Sequence, residues 1–142
     1  MFQHIMVPVD LAHLDTLKPA LDTAADLACH YAATITYVGI TTSAPGSVAR
    51  TPDEYRQKLE LFTERRHAVH GRPVSARVYH SPDPIANLND LLVNAVEDVG
   101  ADLVIMATHL PKHIDLIIPA NGGTLASRTS ASIFLVRARQ GT

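Results

Sequence analysis

The chain has a single cysteine, Cys29, in 142 residues, so an internal disulfide is excluded. Its place beside Leu27, Ala28 and Tyr31 on a helical pattern reads as a small buried side chain rather than a nucleophile. No stretch approaches the roughly 20 apolar residues that span a bilayer. The opening Met1-Phe2-Gln3-His4-Ile5-Met6-Val7-Pro8-Val9-Asp10 has neither the basic segment nor the apolar run of a signal peptide, so a soluble cytoplasmic protein is expected. An excess of one charge is also lacking. Twelve Lys+Arg stand against 14 Asp+Glu, unclustered, which disfavours nucleic acid as the main partner. The phosphate loop G-x-x-x-x-G-K-[ST], a post-strand G-x-G-x-x-G and the nucleophile elbow G-x-S-x-G are all missing. No reaction is specified.

What is present is a regular alternation of two patterns. Apolar or β-branched runs at residues 4–9, 34–40, 74–79, 103–109 and 132–137 predict strands, the third nearer an edge. Between them, Leu17, Ala20, Leu21, Ala24, Leu27, Ala28 and Tyr31 recur at helical spacing. That helix is expected to start near Asp15 or Thr16, which leaves Pro19 in a first turn. Thr51-Pro52-Asp53-Glu54 is a helix start, followed by a stripe of Tyr55, Leu59, Phe62 and Val69, with Arg65 and Arg66 on a solvated face and Gly71 as the stop. Ser81-Pro82-Asp83-Pro84 repeats the device before Ile85, Leu88, Leu92, Val96 and Val99, closed by Gly100, and a short helix is expected from Leu125 to Ser130. The order β-α-β-α-β-α-β-α-β in a chain this long predicts one α/β domain over residues 1–142, with a parallel sheet and helices on both faces. Ligands in such folds sit at the switch in winding direction, beyond the carboxyl ends of the strands.

Candidate residues cluster at those ends. Asp10 closes the first run, where a carboxylate either accepts from a ribose hydroxyl or an adenine amine, or caps the following turn. Thr108 and His109 close the fourth, and the imidazole is either a phosphate donor or a structural loop group. Asn121-Gly122-Gly123-Thr124 offers unobstructed N–H groups as an anion nest, or a tight turn with a cap. His109 and His113 are four apart, but Pro111 lies between them and no Glu or Cys set accompanies them, which argues against a metal.

Ile5-Met6-Val7-Pro8-Val9-Asp10, Ala101-Asp102-Leu103-Val104-Ile105-Met106-Ala107-Thr108-His109 and Ile133-Phe134-Leu135-Val136-Arg137 resemble the corresponding segments of the universal stress protein family, across essentially the whole chain. The resemblance implies a five-stranded parallel sheet of order 3-2-1-4-5 in the adenine nucleotide alpha hydrolase-like class. It also implies a cleft between the first and fourth strands and a homodimer paired through Ile133, Phe134, Leu135 and Val136. The family's nucleotide motif, G-x-x-G, nine residues, then G-[ST], falls here on Ala107, Leu110 and Ala120-Asn121, so its three glycines are replaced. Leu110-Pro111 and Ala120-Asn121-Gly122-Gly123 are more similar to a side branch of the family that also contains nucleotide binders. By this resemblance Pro8, Val9 and Asp10 face an adenosine, and Ile40 offers backbone groups to the base. Thr108 and His109 stand beside the phosphates of ATP or AMP, and Asn121, Gly122 and Gly123 replace the usual turn. The implied function is a stress-response module that holds an adenine nucleotide as a regulatory ligand. The other reading is a protein-interaction dimer with a degenerate cleft, and a nucleotide hydrolase has least support because no base or nucleophile is specified.

Overall fold

The computed structural model describes residues 1–42, 45–46, 48–108 and 122–137. The five predicted runs become β1 (His4–Pro8), β2 (Thr34–Thr41), β3 (Val74–His80), β4 (Leu103–Thr108) and β5 (Ser132–Arg137), all parallel, in the order β3-β2-β1-β4-β5. Between them lie α1 (Leu14–Tyr31), α2 (Pro52–His70), α3 (Pro84–Val99) and α4 (Gly122–Arg128), with a 3-10 turn at Leu11–His13 before α1.

Alternation along the strands divides the core in two. Ile5, Val7 and Val9 join Ile35, Tyr37, Leu103, Ile105 and Ala107 in packing with α1 and α2 on one face. Met6, Val38, Val104 and Met106 turn the other way, onto Leu92, Val96 and Leu125 of α3 and α4. β1 and β4 are covered on both sides, which is why their sequences read as unbroken apolar runs. At their amino ends they are braced by Asp102, whose carboxylate accepts the backbone N–H groups of Gln3 (2.8 Å) and His4 (3.1 Å), while its own N–H donates to the His4 carbonyl.

Local signals hold at most boundaries. The Thr51 hydroxyl accepts from the Glu54 N–H at 3.1 Å with Pro52 in the first helical position, and Gly71 (φ 73°) and Gly100 (φ 70°) take the left-handed conformation that ends α2 and follows α3. Several expectations need correction. α1 begins at Leu14, earlier than expected, because Asp10 caps the 3-10 turn that leads into it. Pro19 therefore lies inside the helix, and the Asp15 carbonyl, at an exposed residue, has no N–H donor four residues on. The last helix likewise starts and ends earlier, at Gly122–Arg128.

Cys29 is exposed, since the position after buried Ala28 rotates about 100° off the stripe. Val69 is 70% exposed, because the buried line of α2 runs Tyr55, Leu59, Thr63 and then toward Arg66. Arg66 is accordingly half-buried and donates to the Leu21 carbonyl of α1 at 3.3 Å. One turn further, His70 Nδ1 accepts the Arg72 backbone N–H (3.1 Å) and Nε2 meets the Tyr37 hydroxyl (3.2 Å). These contacts tie the end of α2 to β2.

Candidate functional site

The winding direction reverses between β1 and β4, and the ladder there is short. β1 pairs with β2 from His4↔Thr34 through Pro8↔Val38, and the Val9 N–H continues it onto the Val38 carbonyl at 2.8 Å. With β4, the register among the described residues is Ile5↔Leu103 and Met6↔Val104. The cause is legible in the backbone. A strand's N–H and C=O groups point alternately to its two neighbours. Val9 donates toward β2 and the His4 carbonyl accepts from Asp102 on the β4 side, so positions 4, 6 and 8 face β4. The next donor after Met6 belongs to Pro8, which has none. The proline removes one donor from the ladder at the switch point, while its carbonyl still faces β4 as an acceptor.

Asp10 follows β1 at the switch point. One carboxylate oxygen accepts from the Ala12 N–H at 3.0 Å and the other lies 2.9 Å from His13 Nδ1. The capping role is therefore realised, and two of the carboxylate's roughly four acceptor sites remain. The phenol of Tyr55, from the first turns of α2, comes close enough to feel Asp10. Burial first, and the Asp10 charge second, push Tyr55 far above the ordinary phenol range, so its hydroxyl stays protonated at any physiological pH. Gly39 makes room for that ring: a Cβ there would stand 2.7 Å from Tyr55 Cε1 and 2.8 Å from its hydroxyl oxygen.

Of the expected site residues, Pro8, Val9, Asp10 and Ile40 meet at the carboxyl ends of β1 and β2, with Ala107 and Thr108 at the end of β4. Val9 (7% exposed) and Ala107 (5%) send their side chains into the α1/α2 core. Ile40 packs partly against the opposite core. Gly122 opens α4, and Gly123 is exposed with nothing within 4 Å of where a Cβ would stand. His109, Leu110, Ala120 and Asn121 lie outside the described residues, as does His113. Among the described residues no group of three or more His, Cys, Asp or Glu could hold a metal ion, and no helix is long and apolar enough to cross a membrane.

Sequence reasoning passed over Gly39, Tyr55 and His13. An isolated glycine in a β-branched strand was the available signal, since it marks close approach of another group.

The topology, with its reversal of winding between β1 and β4, defines a doubly wound α/β protein, a class that takes ligands at the switch point. The model of the Universal stress protein family matches residues 1–137, and the chain belongs to that family. No curated protein matches it in sequence. Among solved structures it is similar to a universal stress protein in complex with cAMP, at 18% identity and TM-score 0.65, covering 97% of this chain and 98% of that one. The Archaeoglobus fulgidus universal stress protein in complex with dAMP gives 17% identity and TM-score 0.61, covering 94% and 96%. An Arabidopsis thaliana family protein with AMP bound gives 14% and 0.60, covering 97% and 93%. At such identities the likeness speaks for the fold.

Proposed function

We propose that this chain is a cytoplasmic, homodimeric stress-response module that holds an adenine nucleotide, ATP or AMP, as a regulatory ligand between the carboxyl ends of β1 and β4. The observation that carries this reading is the reversal of winding between β1 and β4, the switch point where such folds take ligands, with Pro8 and Asp10 at the end of β1. Relatives of the same fold with cAMP, dAMP and AMP support the choice of ligand class. Pro8, Val9, Asp10 and Ile40 would line the adenosine side, through backbone groups and the free acceptor sites of Asp10. Ala107, Thr108, His109, Leu110, Ala120, Asn121, Gly122 and Gly123 would line the phosphate side. The dimer would form along β5, an edge strand on which Phe134 and Leu135 are 44% and 48% exposed. Protein purified without added nucleotide and then denatured should release material absorbing near 260 nm, or gain thermal stability with ATP. Absence of both would remove the ligand from the proposal.

A second reading, a protein-interaction dimer whose cleft holds no nucleotide, is favoured by the engagement of both Asp10 oxygens within the chain. Ordered phosphates at residues 121–124 in a crystal grown with excess ATP would refute it.

A further inference from the structure

At the opposite end of the sheet from the crevice, the face toward α3 changes character. Met6 and Val38 are core residues on this face. Beside them and toward the amino ends, the same face presents His4 of β1, Thr34 and Thr36 of β2, and Ser75 and Arg77 of β3. Register makes them neighbours: His4↔Thr34, Thr36↔Ser75 and Val38↔Arg77 are cross-strand pairs. These five side chains, with Val99 of α3 as an apolar wall, line a groove of about 300 Å³, at the lower end of the range for small-molecule sites.

Its chemistry has one sign. Arg77 brings a permanent cation and His4 an imidazole, and no lining residue is acidic. The nearby carboxylates stand outside the lining and keep their charge: both Asp102 oxygens take the Gln3 and His4 backbone N–H groups, and Asp98 takes the Tyr79 hydroxyl at 2.8 Å. Arg77 also reaches that hydroxyl, so a ligand would compete for the guanidinium with Tyr79 and Asp98. Thr36 is only 6% exposed, and its hydroxyl lies 2.8 Å from that of Ser75. Two paired hydroxyls have two hydrogens, of which one closes the pair. The second is left to donate to an acceptor in the groove. A guanidinium on β3, a hydroxyl on the sheet floor and an imidazole on β1 belong to lining residues of three adjacent strands. A phosphate, with oxygens in three or more directions, can take donors from all three strands, where a carboxylate has only two oxygens to offer.

We propose that this groove binds a phosphate group, free or as the head of a small monoester whose organic part lies against Val99. The site is separate from the switch-point crevice and does not depend on nucleotide binding there.

The test is titration of the full chain with inorganic phosphate, in phosphate-free buffer at constant ionic strength, followed by amide chemical shifts. Saturable shifts are expected at Thr36, Ser75 and Arg77. Arg77→Ala, at an exposed position, should weaken binding about tenfold, the scale of one lost charge-assisted contact, and Ser75→Ala should weaken it less. Glycerol 3-phosphate binding more tightly than inorganic phosphate would identify the monoester, and the reverse order free phosphate. No saturable shift, shifts confined to the carboxyl ends of β1 and β4, or binding indifferent to Arg77→Ala would overturn the proposal.

Discussion

Gly39→Ala is a test of how the crevice end of the molecule is held together. The added Cβ would stand 2.7 Å and 2.8 Å from Tyr55 Cε1 and hydroxyl, and 3.2 Å from Leu59 Cδ2, all short of the 3.4 Å at which ordinary contact begins. Neither neighbour can yield easily: Tyr55 is 7% exposed and Leu59 fully buried, one turn apart on the same helix. Overpacking of this kind costs about 1–3 kcal/mol. For a chain of this length that corresponds to a fall in Tm of roughly 3–10 °C. Urea unfolding should show a lower midpoint with an unchanged slope. Combining Gly39→Ala with Tyr55→Leu should cost less than the two single changes added, by about 1 kcal/mol, because the pair shares one contact. Wild-type stability for Gly39→Ala, or strict additivity in the double variant, would refute the packing argument.

His70 gives a pH dependence of definite sign. Burial first, then the positive charges of Arg66, His67 and Arg72, hold it below the ordinary imidazole value of 6.5. The unfolded chain therefore takes up the proton first as pH falls, so the contribution of His70 is complete above about 6.5 and declines below it. Denaturation at pH 7 and pH 5 should show a steeper loss for wild type than for His70→Asn, and equal losses would count against it. Asp10→Ala should destabilise by about 1 kcal/mol through the lost cap, with Asp10→Asn largely restoring it; an Asn variant as weak as Ala would place the value of Asp10 in its charge toward His13. Leu135→Lys on β5 should give a folded monomer by sedimentation, whereas an undiminished dimer would move the interface elsewhere. Cys29 should react fully with a thiol reagent in the native protein, and protection would contradict its exposure.

Strand positions and winding order could be read in the sequence because burial on both faces writes continuous apolar runs, as in Val104-Ile105-Met106, and crossover handedness leaves few topologies. Helix faces were read less well where the stripe is weak: α2 buries Thr63 and half-buries Arg66 while leaving Val69 to solvent, a choice made by the partner surface of α1. Of the candidate site, the residues at the ends of β1, β2 and β4 could be named from pattern and resemblance. The loss of a donor toward β4 at Pro8 could not, because it depends on which neighbour position 8 faces, and that is decided by register with two strands. The partnership of Gly39 with Tyr55 is likewise a contact between distant segments, with only the glycine visible in the string.

The central place of β1 also has a meaning for how the chain is made. Its β2 edge is satisfied by residue 38, but its other edge waits for β4, whose first rung pairs Ile5 with Leu103 and whose brace is Asp102. During synthesis the first three strands can form a sheet of their own, β3-β2-β1, with α1 and α2 on one face. Until β4 emerges, a strand that is buried from Ile5 to Pro8 in the finished protein is an open edge, available to another nascent chain. Pro8 removes a donor from that waiting edge, and so makes β1 a poorer template for the wrong partner.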